Sequence, residues 1–322
     1  MNKVKVLLLA IAGVLLSYTH VTANVSDEFE YDAATAEAFF ASYSEEEIKA
    51  SVTLNSHILA THYDASVQYF VKDNLYYGRK GFSKTLGRTM MYFPIIEQYL
   101  RMYNMPDDLK HLVIVESHAN PHATSGCGAK GLWQMMPETA RRYGLVVNAN
   151  QDDRKDPRKA TEAALRYLKY LHDFLNNDWT LAIAAYNCGE GRVRRAIKQA
   201  NSYDYQKIKH LLPKQTQKYI PAILAAAYCV DNYAKYNVRP AHTPYTLRFT
   251  NTVKVFDRLS FAEISTITNT PVATVQKLNP SYHKGFVPES KKGNYVILPS
   301  ISTNQLSSYL KRSNRYAVKM RF

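Results

Sequence analysis

Apolar positions recur at spacings of three and four through most of the first 240 residues, and that period predicts helices. Between Asn55 and Met105, Val67, Phe70, Val71 and Leu75 form one stripe, and Phe93, Ile96 and Leu100 form another. Gly78 and Gly81 fall between the stripes and divide them into two helices. Asn104 to Asp108 is a turn capping a helix from Lys110 to about Ser117. The apolar run of that helix, Leu112-Val113-Ile114-Val115, ends on a carboxylate, Glu116, and Pro121 stops the helix. Ser125 to Gly131 is a glycine-rich loop. Pro137 to Tyr143 begins another helix, which Gly144 ends, and Val146 to Pro157 reads as a polar connection. Arg158 to Asn176 carries Ala160, Ala164, Leu168, Leu171 and Leu175 on one face. Trp179 to Tyr186 is a helix of small residues that stops at Asn187-Cys188-Gly189, and Gly191 to Ala200 follows it. Gln217 to Tyr236 closes the series, with Pro221 placed in its first turn, where proline is tolerated.

After Arg239-Pro240 the period changes. Thr252 to Val255 and Tyr295 to Pro299 read as short strands, and Phe261 to Thr266 and Val272 to Leu278 as short helices between them. The chain therefore divides into a helical domain (55–240), a linker (241–251), a small β-α-α-β module (252–299) and a basic tail (300–322). Ahead of the helical domain lies an acidic stretch, 24–54, in which Glu45-Glu46-Glu47 offers no clear apolar face and which reads as an arm, disordered in part or draped on the surface.

Residues 1–23 change the picture of where the chain works. Lys3 and Lys5 precede the apolar run Val6 to Leu16, and Val21-Thr22-Ala23 fits a small-residue cleavage site, which together read as an export signal. That run is short for a bilayer span, and no later stretch is long and apolar enough. Export to the periplasm or cell envelope of a bacterium, with no transmembrane segment after signal removal, is the expectation. Formal net charge is +14 over 322 residues. The acids gather in 24–49 and the rest of the chain is basic, so an anionic partner outside the cytoplasm is implied, cell-wall polymer or an anionic envelope surface. No nucleic-acid module signature occurs. The 25 tyrosines suit helix packing and sugar surfaces alike. Cys127, Cys188 and Cys229 match no metal spacing, and we read all three as small core residues.

Glu116, at the end of a buried helical turn and facing a glycine-shaped loop, is placed to be an acid with a raised pKa. Most glycoside-cleaving enzymes use two carboxylates. Ser117 to Glu138 holds no acid between its ends, Glu138 suits the N-terminus of its own helix, and Glu190 is the weaker candidate for a second acid. One carboxyl suffices if the nucleophile is a hydroxyl of the substrate itself. His118 and His122 are four apart, but Pro121 between them denies the helix that a metal pair needs. Ser117 lacks the Gly-x-Ser-x-Gly elbow of a nucleophile.

Four motifs in order then carry a resemblance: Glu116-Ser117; Gly131-Leu132-Trp133-Gln134 with Met135-Met136-Pro137; Ala185-Tyr186-Asn187-Cys188-Gly189; and Tyr219 in Gln217-Lys218-Tyr219-Ile220-Pro221. Together they resemble the lysozyme-like lytic transglycosylases of the soluble type, and most of all the membrane-bound D branch of that family, over about Val67 to Tyr236. The resemblance implies a mainly α, goose-type lysozyme-like catalytic domain. It implies cleavage of peptidoglycan between N-acetylmuramic acid and N-acetylglucosamine, leaving a 1,6-anhydromuramic end, with no metal or cofactor. It makes Glu116 the general acid and then the base, with Ser117 supporting its helix end. Ser125, Gln134 and Met136 would line the cleft, Tyr186 would bring its hydroxyl near the Glu and the sugar's acetamido group, Asn187 would hold its loop or touch substrate, and Tyr219 would close the site. Cys188 stands where the motif commonly has Ala, and the signal lacks the lipid-accepting Cys of the anchored relatives. Thr252 to Pro299 resembles a LysM domain, an α+β unit that binds N-acetylglucosamine polymers, although Phe256-Asp257 replaces its usual Gly-Asp turn. Two other readings stay open on the sequence: a goose-type hydrolase on the same fold, and a non-catalytic wall-binding protein.

Overall fold

The stripe centred on Leu168 becomes a fully packed helix face. It lies on a helix, Pro157–Phe174, whose Ala160, Ala163, Ala164, Leu165, Leu168 and Leu171 are all buried. Asp156 starts that helix by accepting from the backbone N–H groups of Arg158 and Lys159, and Pro157 fills a first-turn position that needs no N–H. This computed structural model of the chain describes Phe39, residues 43–56 and residues 58–313. The expected export signal, residues 24–38 of the acidic stretch and residues 314–322 of the basic tail lie outside the described residues.

In chain order the helical domain comprises α1 (Glu45–Asn55), α2 (Ala65–Lys72), α3 (Arg79–Met102), α4 (Leu112–Ser117), α5 (Pro137–Arg142), α6 (Pro157–Phe174), α7 (Trp179–Cys188), α8 (Glu190–Ala200), α9 (Tyr205–Ile208) and α10 (Lys214–Asn232). One apolar cluster, from Phe39 to Val238, joins them. α10 is its hub, packing on α2, α7, α4 and α1. Gly78 ends a π-helical turn before α3, as its break in the pattern predicts, but Gly81 lies within α3.

Three expectations change. Glu45-Glu46-Glu47 is no arm: Ser44 caps it, and Ile48 and Val52 of α1 are buried in the main core. Two apolar residues one turn apart are enough for docking, whereas three adjacent acids hid the stripe. Pro221 is not in a first turn, because α10 begins at Lys214 and carries the proline inside it. The segment after Arg239 is no free linker. Ala241 N–H donates to the Ser83 carbonyl at 2.8 Å and Thr243 Oγ1 to the Gly87 carbonyl at 3.1 Å, so the chain runs bonded along α3. A Cβ on Gly87 would lie 2.5 Å from the Ala241 carbonyl oxygen, which explains a glycine there.

The C-terminal module contains α11 (Tyr245–Arg248), β1 (Thr250–Val255), β2 (Leu259–Ser260), α12 (Phe261–Thr268), α13 (Val272–Leu278), β3 (Phe286–Val287), β4 (Asn294–Pro299) and α14 (Thr303–Arg312). β1 and β4 are antiparallel, Thr250 opposite Pro299 and Val255 opposite Asn294. β2 pairs antiparallel with β3. Val253, Val255, Val296 and Leu298 from the sheet meet Phe261, Ile264 and Val275 in a second core. Leu306 and Leu310 of α14 complete that core, so the tail read from residue 300 begins as part of the module. The β-α-α-β order is present, and a pair of two-residue strands and two helices, α11 and α14, are added to it. Leu247, Leu278 and Ile297 cluster with Met91 of α3, which brings the module onto the helical domain.

Candidate active site

α4 ends at Ser117 because His118 and Ala119 turn left-handed, with φ of 53° and 55°. The His118 N–H donates to the Ile114 carbonyl at 2.8 Å and the Ala119 N–H to the Val113 carbonyl at 2.9 Å, closing the helix end three residues before Pro121. Glu116 thus sits in the last turn, at the floor of a cleft of about 260 Å³. Its side chain is partly exposed to the cleft, and burial among its neighbours pushes the pKa up from 4.5 to about 7. The Tyr219 hydroxyl, from α10, donates a short hydrogen bond to Glu116 Oε1 and pulls the pKa the other way. With Oε1 accepting from Tyr219, the proton belongs on Oε2.

Ser117 faces away from the cleft. Its Oγ donates to the Leu132 carbonyl at 2.8 Å and accepts from the Asn120 N–H at 3.2 Å, tying the end of α4 to the opposite loop. That loop forms the cleft wall. The Ser125 hydroxyl accepts from the Ala129 N–H at 3.0 Å, and Gly128 and Gly131 take φ of 87° and 81°, where a side chain is strained. A Cβ on Gly131 would stand 1.7 Å from the Arg154 carbonyl oxygen. Gln134 is a non-glycine residue at φ 45°, held there by its side-chain amide donating to the Gly131 carbonyl at 2.8 Å. Trp133 is fully buried, its Nε1 donating to Thr161 Oγ1 at 2.9 Å. The Tyr186 hydroxyl donates to the Trp133 carbonyl at 2.7 Å. Burial, with the nearby Glu116 charge, keeps that phenol neutral. Asn187 Oδ1 accepts from Thr216 Oγ1 at 2.8 Å, joining the end of α7 to the start of α10.

The structure therefore brings Glu116, Ser125, Gln134, Met136, Tyr186 and Asn187 into one cleft, with Tyr219 beneath it on the acid. Glu190 does not line it; its carboxylate accepts from the Tyr167 hydroxyl at 3.4 Å. Glu116 is the one carboxylate among the described residues lining the cleft. The reading of three core cysteines holds for Cys188 and Cys229, both buried in the main core, whereas Cys127 is half-buried in the cleft wall; Cys188 also borders the cleft. Arg192, Gln215 and Thr216 also line it and were not picked out from sequence. Nor was the strip Gln151-Asp152-Asp153-Arg154, read as a polar connection but almost wholly buried behind the wall. Arg154 forks onto the Asp152 carboxylate with two 2.8 Å bonds and donates to the Gly128 and Met135 carbonyls at 2.7 and 3.1 Å. A run of charged residues on one sequence segment gives no sign of burial until its partners, distant in sequence, are known. Among the described residues no group of three or more His, Cys, Asp or Glu could hold a metal ion.

A carboxyl with a raised pKa and one polar anchor, facing a cleft of amide, hydroxyl, thiol, thioether and guanidinium groups, can give a proton to a bound ether oxygen and then take one back. Residues 93–209 match the transglycosylase SLT domain, and residues 249–315 match the LysM-like domain of lytic transglycosylase MltD. Membrane-bound lytic murein transglycosylase D of Escherichia coli K12 is 34% identical over 236 residues, 72% of this chain and 51% of that protein. The chain thus spans about half the length of that relative. Soluble lytic murein transglycosylase of the same organism is 31% identical over 127 residues, 38% of this chain and 19% of that protein. The crystal structure of the 70 kDa soluble lytic transglycosylase from Escherichia coli is 26% identical, covering 47% of this chain and 26% of that one, with a TM-score of 0.39.

Proposed function

Residues 93–209 belong to the transglycosylase SLT family and residues 249–315 to the LysM-like family of lytic transglycosylase MltD, and from that premise we propose that the chain is a peptidoglycan lytic transglycosylase. Its substrate is the glycan strand, cut at the β-1,4 bond between N-acetylmuramic acid and N-acetylglucosamine. The carrying observation is the solitary Glu116 carboxyl, raised to about 7 by burial, in a cleft with no second carboxylate among its described lining residues.

The proposed reaction runs through that one group. Oε2 gives its proton to the glycosidic oxygen as the bond from C1 of the muramic residue breaks, and N-acetylglucosamine leaves with a free 4-hydroxyl. The carboxylate then takes the proton of the muramic C6 hydroxyl as that oxygen bonds to C1. One C–O bond breaks, one forms, the proton passes from O6 to O4 by way of Glu116, and no water is consumed. Tyr219 fixes which carboxyl oxygen carries the proton. Ser125, Gln134, Met136, Tyr186 and Asn187 form the walls that hold the sugars, and Ser117 braces the helix end. Tyr186 contributes its ring rather than its hydroxyl, which is bonded to the Trp133 carbonyl.

The place of action follows from the substrate. The proposed export signal takes the chain to the periplasm or cell envelope, where a basic surface meets an anionic wall. Among the described residues no helix is long and apolar enough to cross a membrane. The activity assignment is tested by Glu116→Gln, which keeps the shape and the Tyr219 contact but cannot give up a proton. Clearance of purified peptidoglycan should fall by about 10²–10⁴, the scale of a lost general acid. A variant as fast as wild type would remove Glu116 from the reaction.

A further inference from the structure

The buried pair Asp152–Arg154 has no role in the proton transfers assigned to Glu116, yet the C-terminal module reaches it directly. The Asp152 N–H donates to the Ser281 carbonyl of the module at 2.9 Å. The carboxylate of that same Asp152 holds the Arg154 fork, and Arg154 holds the carbonyls of Gly128 and Met135 in the cleft wall. Lys130, also in the wall, lies 3.3 Å from Asp152 Oδ2. Two side-chain contacts flank this path. His283 of the module bonds through Nε2 to the Ala149 carbonyl at 2.8 Å. The His122 ring, at the entry to the wall, lies against the Lys277 backbone of the module. The module therefore grips the wall at its start and its buried backing from behind.

We propose that the LysM-like module is a structural part of the active site, holding through Asp152 and Arg154 the wall that carries Ser125 and Gln134. The wall needs such backing. It contains a strained residue, Gln134, and two glycines with positive φ, and it has no helix or sheet of its own. Arg154 satisfies two of its carbonyls, and a buried guanidinium is fixed only while its carboxylate partner is fixed. Arg154 is thus a positioning residue, and the module sets Asp152. This role is separate from tethering to the wall polymer, because it acts inside one molecule whether or not the module binds sugar. It rests on the proposed function for the identity of the ligand alone.

The test uses the full chain in two measurements. Amide hydrogen exchange over residues 125–136 is compared in wild type, Arg154→Lys and the double variant His122→Ala/His283→Ala. Lysine keeps the charge but cannot reach the carboxylate and both carbonyls together. Exchange in this segment should quicken by about 10-fold in Arg154→Lys and about 3-fold in the double variant, while α6 and α10 stay protected. Unchanged exchange in the wall in the double variant overturns the proposal, as does unchanged exchange in Arg154→Lys or equal quickening throughout the domain. The second measurement is calorimetric binding of a short soluble glycan fragment, on which tethering has nothing to add, in a Glu116→Gln background that cannot consume it. Affinity should fall by about 10-fold with Arg154→Lys at unchanged stoichiometry. Lower stoichiometry with unchanged affinity would mean a folding role only and overturns the proposal. Neither readout depends on turnover, so a wild-type enzyme that leaves no anhydro ends would count against the proposed reaction and not against this coupling.

Discussion

Glu116 carries two opposed influences, burial that holds its proton on and the Tyr219 hydroxyl that draws it off, and burial wins. The consequence for stability has a definite sign. The folded carboxyl titrates near 7 against 4.5 for the ordinary group, so between those values the folded state keeps a proton that the unfolded chain has released. Stability from this group is fully present below about pH 4.5 and is lost as pH rises to about 7. Glu116→Gln escapes that loss. In urea titrations it should equal wild type at pH 4 and exceed it at pH 8 by on the order of 3 kcal/mol. Equal stability at both pH values would show that the carboxyl is not held neutral by its surroundings. At this scale the sequence was informative where motifs gathered. Glu116, Gln134, Tyr186 and Tyr219 could be named before any coordinates. Arg192, Thr216 and the cleft position of Cys127 could not, because nothing in their local segments says which way they face. The Tyr186 hydroxyl was expected near the acid, and it lies close enough to feel the Glu116 charge while donating to the Trp133 carbonyl, a bond the sequence did not announce.

At the scale of elements, helices were legible because their apolar periods survive locally, and ends were less so. α4 stops through a left-handed pair, not at the proline that seemed to stop it, and α1 was hidden by three acids in its first turn. The cleft wall was visible only as a run of glycines. Its geometry separates them. Gly128 and Gly131 share a positive φ, but a Cβ on Gly128 meets nothing within 4 Å, whereas on Gly131 it would strike the Arg154 carbonyl. Gly128→Ala should therefore cost about 1–2 kcal/mol, the penalty of the left-handed backbone alone. Gly131→Ala should cost more than about 3 kcal/mol and displace the Arg154 segment. Thermal unfolding of the two variants checks this, and equal losses would mean that the close approach of wall and backing is not tight.

At the scale of the whole molecule, two cores are joined by a bonded strap along α3 rather than by a flexible spacer. The change of texture after Arg239 marks where the helical period ends, but a proline-rich stretch reads the same whether it is docked or loose. The module likewise revealed its strands and two helices, while α14 was lost in the basic charge around it, although Leu306 and Leu310 are spaced four apart. Whole-chain chemistry depends on one question, whether a lone acid with an internal nucleophile breaks the glycan. Mass spectrometry of fragments released from purified peptidoglycan by the full chain answers it. Fragments ending in 1,6-anhydro-N-acetylmuramic acid, lighter by one water than their hydrolytic counterparts, are the predicted result. Fragments ending in reducing N-acetylmuramic acid would show that water is the nucleophile and would contradict the account.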